Sequence, residues 1–82
     1  MIFYVYMLKS INSKIQRSYV GYTNNLISRI RKHNTGLGAK STRGYKWKII
    51  YKKKFYDKSS AMSYEYKLKN DKKKRKHILA KN

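Results

Sequence analysis

Hydrophobic and aromatic residues form one continuous run near the start of the chain. Residues 2–8 place apolar side chains on both of their alternating faces, a pattern typical of a strand covered on both sides. The polar segment 9–16 turns the chain back into residues 17–23, a second run that favours β structure. Together the two runs predict an antiparallel hairpin.

The next hydrophobic residues recur at helical spacing. Polar residues 23–25 are suited to cap a helix N-terminus, and Gly36 supplies a stop at its C-terminal end. This pattern predicts a short amphipathic helix. Residues 34–46, which hold three of the four glycines and several cations, predict an exposed basic loop of the kind that grips phosphates.

The second half of the chain repeats the change from β to helical spacing. Residues 47–56 predict a third strand, which lysines 52–54 are expected to interrupt with an exposed extension. Residues 61–68 predict a second helix, and polar residues that can cap its N-terminus come before it. A lysine-rich helical segment is expected at about residues 71–82. The order β-β-α-β-α(-α) indicates an α+β domain, with a small, mainly antiparallel three-stranded sheet flanked by helices.

Length and composition narrow the class of protein. A chain of 82 residues without proline or cysteine predicts one domain over residues 1–82, with no disulfide framework and no thiolate metal site. The apolar run 2–8 is too short to cross a bilayer and lacks the basic leader of a signal peptide. We therefore expect a cytoplasmic protein, or a nuclear one if the source is eukaryotic or viral.

Charge is the dominant feature of the composition. The chain has 22 lysines and arginines and only 3 acidic residues, which gives a formal net charge of +19. Such self-repulsion favours a polyanionic partner, and nucleic acid is the commonest because neutralised phosphates release counterions. A membrane surface is less favoured, because the cations are spread over the whole chain rather than over one helix face. An AT-rich genome is an alternative explanation for part of the lysine excess, and it lowers the weight of any single lysine.

Glu65 is the most informative of the few acidic residues. In the second predicted helix it lies between Ala61 and Leu68, about one turn from each, and so falls on the apolar stripe. A carboxylate there needs a partner, and a lysine or arginine is enough. Alternatively, one carboxylate anchors a magnesium ion that keeps most of its waters and takes other ligands from a substrate phosphate.

Four further side chains, all in the first half of the chain, can serve the same chemistry. Arg29 and His33 project from one side of the first helix, where a guanidinium braces a phosphate and an imidazole relays a proton. A solvated arginine and a histidine near a helix C-terminus are the alternative. Tyr6 and Tyr19 lie side by side if the hairpin register allows, although most of the nine tyrosines are expected to be core or surface residues.

Taken in order, these segments resemble the GIY-YIG nucleases. Residues 4–6 (Tyr-Val-Tyr) and 19–21 (Tyr-Val-Gly) are similar to the two short signatures that name the family. The run 29–40 resembles the stretch found in small stand-alone members, and Glu65 falls where the family keeps its metal-binding glutamate. The resemblance covers roughly residues 2–70, and the ordered set is far more specific than any one piece.

The resemblance implies a DNA endonuclease that depends on Mg²⁺ or Mn²⁺, with a role in DNA repair. Glu65 would bind the metal, and Tyr19 or His33 would act as the general base. Tyr6 would organise the hydrogen bonds, and Arg29 would stabilise the pentavalent phosphate. Phosphate contacts are expected from five basic residues: Arg31, Lys32, Lys40, Arg43 and Lys67.

Two positions depart from the family pattern, and one alternative function stays open. Tyr4 replaces the first glycine of the name motif, and Tyr22 stands where the excision-repair relatives carry a lysine. Single-stranded or branched DNA is expected rather than a specific duplex sequence, since no added recognition domain is present. The alternative is a non-catalytic module that uses the same basic surface to bind nucleic acid.

Overall fold

The computed structural model describes all residues from 1 to 82. Its elements are three strands, three helices and one short 3-10 turn: β1 (Phe3–Ser10), β2 (Ser18–Thr23), α1 (Leu26–Asn34), the turn (Lys40–Thr42), β3 (Trp47–Phe55), α2 (Lys58–Asn70) and α3 (Lys72–Ala80). The predicted α+β class and the predicted order of elements are confirmed, including the lysine-rich third helix. None of the helices combines the length and the apolar character that a membrane crossing needs.

The three strands form one antiparallel sheet in the order β2-β1-β3. Tyr6 pairs with Gly21 across the hairpin, and Leu8 pairs with Tyr19, so Tyr6 and Tyr19 project from the same face. The pairing of β1 with β3 shifts at one point, where Ile50 is the extra residue of a bulge.

The expected interruption of β3 at lysines 52–54 is wrong. All three residues pair with β1, opposite Tyr6, Val5 and Tyr4, and their side chains are exposed. An edge strand requires only that its backbone pair on one side, and lysine side chains on such a strand discourage pairing with another chain. The charge run is therefore compatible with a continuous strand.

Helices cover both faces of the sheet, as the apolar run of β1 predicts. On one face α1 packs over a cluster built on Tyr6, Leu8 and Trp47. On the other face α2 and α3 cover the main core, which consists of Val5, Met7, Val20, Ala61, Leu68 and Ile78. The centre of β1 therefore connects the two cores and is fully buried.

Short polar side chains begin each helix. Asn25 Oδ1 accepts a hydrogen bond from the Ser28 N–H at 3.1 Å at the start of α1. Asp57 and Asp71 cap α2 and α3 in the same way. Two of the three acidic residues of the chain thus serve as helix caps, which leaves Glu65 as the only other carboxylate side chain.

Candidate active site

Tyr6 occupies the middle of the face that α1 covers, and its position depends on Gly21. A Cβ atom at Gly21 would lie 2.6 Å from the Tyr6 hydroxyl oxygen and 2.8 Å from Tyr6 Cζ. Any side chain at this register position would therefore displace the Tyr6 ring. The absence of a side chain at Gly21 lets the phenol lie across β2 beside Tyr19, with the two ring centroids 6.3 Å apart.

Replacing Gly21 by alanine is expected to lower the free energy of unfolding by roughly 1–3 kcal/mol, because the new methyl group overlaps the buried phenol. Urea denaturation followed by Trp47 fluorescence measures this loss. The same substitution in a Tyr6→Phe background should cost less, since the closest contact atom is gone. An equal cost in both backgrounds would show that the alanine acts through the β2 backbone and not through Tyr6.

A chain of hydrogen bonds links α1 to the Tyr6 hydroxyl. Arg29 Nε donates to the Tyr6 oxygen at 3.4 Å, and the Tyr6 oxygen lies 2.8 Å from His33 Nε2. On the far side of the ring, His33 Nδ1 lies 3.0 Å from Thr42 Oγ1, which donates its own proton to the Ala39 carbonyl at 2.7 Å. The spacing of Arg29 and His33 thus brings both side chains to one phenol.

The direction of each bond in this chain follows from its last member. Because the Thr42 proton is directed at the Ala39 carbonyl, Thr42 Oγ1 accepts from His33, which assigns a proton to His33 Nδ1. The other nitrogen, Nε2, then carries a lone pair and accepts the Tyr6 proton. The Tyr6 oxygen in turn accepts from Arg29, so every member has one defined role.

The pKa values of the buried members agree with this assignment. Burial, opposed by the hydrogen bond from Arg29, raises the pKa of Tyr6 to about 12. Burial and, less strongly, the Arg29 charge lower the pKa of His33 to about 4. At neutral pH both groups are therefore uncharged, as a donor phenol and an acceptor imidazole must be.

His33 should make the protein less stable in mild acid. In the unfolded chain the imidazole takes up a proton near its ordinary pKa of 6.5, whereas in the folded chain its pKa is about 4. Between these values the unfolded state binds more protons. The free energy of unfolding should therefore fall as the pH falls from 6.5 to 4, by at most about 1.4 kcal/mol per pH unit.

Urea denaturation at several pH values between 4 and 7.5 measures this slope. His33→Gln should flatten it, and His77→Gln, which changes an exposed histidine of α3, should leave it intact. A slope that persists unchanged in His33→Gln would contradict a buried neutral imidazole.

Two members of this arrangement were not predicted from the sequence. Thr42, the last residue of the 3-10 turn, is fully buried, although residues 34–46 were expected to be an exposed loop. Gly38 lies against the imidazole, and a Cβ atom there would be 2.6 Å from His33 Nδ1. Hydrophobic periodicity could not predict the position of either residue, because both lie in a loop that folds back onto α1. The glycines at 36 and 38 close behind His33 are the only hint.

The loop is held in place by contacts with β3. Asn34 Oδ1 accepts from the Trp47 N–H at 2.6 Å, and Asn34 Nδ2 donates to the Trp47 carbonyl at 3.2 Å. The Trp47 indole Nε1 donates to the Thr42 carbonyl at 3.0 Å. Trp47 is therefore a core residue that fixes the turn carrying Thr42, as its large apolar ring suggests.

Tyr19 and Arg29 lie at the more open side of the cluster. The Tyr19 ring packs against His33 at a centroid distance of 4.8 Å and is only partly buried. Tyr6 and, less strongly, Tyr19 raise the pKa of Arg29 above its ordinary value. Four of the predicted catalytic residues, Tyr6, Tyr19, Arg29 and His33, are thus in mutual contact.

Glu65 lies at the margin of this cluster. It projects from α2, whose apolar stripe packs on β1 and β2, and its side chain is 19% exposed. Its charge contributes to the raised pKa of Tyr6, although it is the smallest of the causes. No ion pair or hydrogen bond joins Glu65 directly to Arg29 or Tyr19. Its one ionic partner is Lys69, with Nζ 3.8 Å from Oε1.

The donor set around Glu65 is compatible with one kind of metal ion. No group of three or more His, Cys, Asp or Glu side chains lies together, so an all-protein cage of the zinc type is not built here. The Glu65 side chain is 19% exposed and has only one long ion pair, which leaves its carboxylate oxygens available. A single available carboxylate suits Mg²⁺, which keeps waters and takes substrate phosphate oxygens as further ligands.

The five basic residues expected to contact phosphate are all exposed: Arg31 and Lys32 on α1, Lys40 and Arg43 at the 3-10 turn, and Lys67 on α2. Lys67 lines a shallow groove with Phe55 and Tyr64. This groove lies on the face of the sheet that carries the main core, whereas α1 covers the face of Tyr6. The five cations therefore do not form a single patch.

Comparison with known proteins shows which family the chain resembles. The sequence profile of the GIY-YIG catalytic domain matches residues 2–78. A UPF0213 protein of Oceanobacillus iheyensis is 49% identical over 67 residues, which are 80% of this chain and 74% of that protein. A UPF0213 protein of Clostridium perfringens is 48% identical over 67 residues, which are 80% and 69% of the two chains.

A solved structure shares both the fold and the sequence relationship. The solution NMR structure of a UPF0213 protein from Bacillus halodurans matches with a TM-score of 0.53 and 33% identity, over 98% of this chain and 84% of that one. The profile match spans nearly the whole sheet-and-helix unit that holds Tyr6, Tyr19, Arg29, His33 and Glu65. The chain therefore belongs to the GIY-YIG family, whose catalytic domain is that of nucleases.

Proposed function

We propose that this protein is a metal-dependent endonuclease that hydrolyses DNA phosphodiester bonds. The observation that supports this best is the directed chain from Arg29 through Tyr6 and His33 to Thr42, with Tyr19 packed beside it. Such a chain holds a guanidinium and a phenol in fixed positions at a partly open surface. Preorganised groups of this kind stabilise charge that develops in a transition state.

Arg29 is the residue that binds the scissile phosphate. Its Nε is used by Tyr6, its guanidinium also interacts with Tyr19, and the other N–H donors of the group are available to phosphate oxygens. Tyr6 does not contact substrate in this scheme. Its buried phenol positions Arg29, because it accepts from Nε while its own proton is held by His33.

Tyr19 is a better candidate than His33 for the group that accepts a proton from the attacking water. Both ring nitrogens of His33 are already in hydrogen bonds, its side chain is fully buried, and its pKa is lowered to about 4. Tyr19 is partly exposed and adjoins Arg29. His33 then has a positioning role, since it orients Tyr6 and supports the Tyr19 ring.

Glu65 would hold the divalent ion, Mg²⁺ or Mn²⁺, as the only carboxylate near the cluster. When bound, such an ion acts as a Lewis acid toward the phosphate and the leaving oxygen. The ion would displace Lys69 from its long contact with Glu65. Its ammonium is then free to contact the substrate.

Single-stranded or branched DNA is the substrate form that we propose. Exposed aromatic side chains can stack on unpaired bases, and Tyr56 and Tyr66 are 73% and 71% exposed. The test is to incubate the purified chain with single-stranded, duplex and branched DNA of matched sequence, in Mg²⁺ or in EDTA. Scission that requires Mg²⁺ and is fastest on unpaired or branched DNA is the expected result.

A non-catalytic nucleic-acid-binding module is the second candidate, because the net charge of +19 supports it equally well. It predicts binding to all three DNA forms with no scission in any metal. In both cases the affinity should fall steeply with salt, since several phosphates are neutralised.

A further inference from the structure

A second basic site lies at the outer edge of β2, on the side where α2 and α3 pack. β2 is an edge strand of the sheet, and a shallow cavity of about 330 Å³ opens along it. Five residues line the cavity: Ser18, Tyr19, Val20, Lys69 and Arg75. Its walls therefore combine two cations with Tyr19, the proposed proton acceptor.

The Arg75 guanidinium is incompletely bonded within the protein. Its Nε is a buried side-chain polar atom with no hydrogen-bond partner, and no other buried side-chain nitrogen or oxygen shares that condition. Ile78, three residues later on the same face of α3, is buried and docks the helix on the core. Docking of α3 thus holds Arg75 in place while one of its donors has no acceptor. Buried donors nearly always have one.

No carboxylate of this protein accepts a hydrogen bond from Arg75 Nε. Asp57 and Asp71 are occupied as helix caps, and Glu65 pairs with Lys69, which is the only salt bridge in the structure. The nearby Lys69 ammonium is about half exposed and is held only by a 3.8 Å contact. The lining of this cavity has two cations and no carboxylate, so an anion is the ligand that it favours.

We propose that Arg75 and Lys69 bind a phosphate of the nucleic-acid strand next to the scissile phosphate. This inference rests on the proposed function, because Tyr19 is the wall that the cavity shares with the candidate active site. The cavity is open and shallow, as a site for a continuous strand must be. The Arg75 fork and the Lys69 ammonium would hold the strand so that the neighbouring phosphate reaches Arg29.

The Arg75 Nε–H provides a direct spectroscopic test. The ¹⁵N-labelled chain is titrated in EDTA with a short oligothymidylate, and the arginine Nε–Hε resonances are assigned by substitution. The Arg75 resonance should move as the oligonucleotide binds, whereas the exposed Arg43 serves as the reference. Inorganic phosphate at the same concentration should move it much less. Oligonucleotide binding that leaves the Arg75 resonance in place would overturn the proposal, as would an equal response to phosphate.

Affinity gives a second, independent readout. Arg75→Gln should weaken oligonucleotide binding about tenfold and reduce the slope of log affinity against log salt by about 0.7, as expected for one lost contact to a single strand. Arg75→Lys, which keeps the charge but lacks the Nε donor, should recover only part of the loss. Lys76→Gln removes a charge from an exposed site on the same helix and is the matched control.

Equal effects of Arg75→Gln and Lys76→Gln on affinity and slope would refute the site. If Arg75→Gln fails to fold, the titration of the unaltered chain decides alone. Neither measurement requires cleavage. Binding through Arg75 without scission would therefore refute only the nuclease, and scission with an unmoved Arg75 resonance would refute only the Arg75 site.

Discussion

Glu65→Gln is expected to lower the rate of Mg²⁺-dependent DNA cleavage by about a thousandfold or more. The substitution removes the charge that would hold the ion and changes the size of the side chain very little, and metal-ion stabilisation contributes several kcal/mol to such a reaction. DNA affinity in EDTA should stay the same or rise, because a negative charge leaves a surface that faces phosphates. Single-turnover cleavage and fluorescence anisotropy measure the two quantities.

Asp57→Asn is the matched control for this prediction. It makes the same carboxylate-to-amide change at an exposed N-cap of α2, where asparagine is an equally good cap. Its cleavage rate and its stability should be close to those of the unaltered chain. Loss of DNA binding in Glu65→Gln, or equal loss of cleavage in both variants, would contradict a metal-binding role for Glu65.

Tyr19→Phe is expected to lower the cleavage rate by about 10²–10⁴-fold, the range that general base catalysis usually contributes. The phenyl ring still packs on His33, and the hydrogen-bond chain through Tyr6 does not use the Tyr19 hydroxyl. Stability and DNA affinity should therefore change little. The readout is the single-turnover rate at saturating protein.

Tyr45→Phe serves as the control, because it removes a hydroxyl from a partly buried tyrosine whose ring packs on Trp47. It should cleave at the unaltered rate. If His33 were the base instead, Tyr19→Phe would retain nearly full activity. That outcome would also require a rearrangement that frees a His33 nitrogen from Tyr6 or Thr42.

The parts of the molecule that depend on local periodicity could be predicted from the sequence. The doubly apolar run of residues 2–8 predicted a strand covered on both faces, and residues 5–8 are buried at the centre of β1. The i, i+4 spacing of Arg29 and His33 placed both side chains on one side of α1. In the structure that side faces Tyr6, and both Arg29 and His33 contact its hydroxyl group.

The parts that depend on non-local contacts could not be predicted in this way. The partnership of His33 with Thr42 arises because a glycine-containing loop folds back under α1, and no sequence period reports such a fold. The run of lysines 52–54 was predicted to interrupt β3, but the strand is continuous because an edge strand tolerates charged side chains at exposed positions. Arg75 lies in a run of cations that is otherwise exposed, and only the packing of α3 distinguishes it.

The distance between Glu65 and the cluster of Tyr6, Tyr19 and Arg29 is the feature on which the proposed chemistry depends. Paramagnetic broadening of NMR signals by Mn²⁺ tests it most directly, in the presence of an oligonucleotide with uncleavable linkages. The broadening should be centred on Glu65, extend to Tyr19 and Arg29, and disappear in Glu65→Gln. Broadening centred elsewhere, or broadening that persists in Glu65→Gln, would contradict a metal ion held by Glu65 beside this cluster.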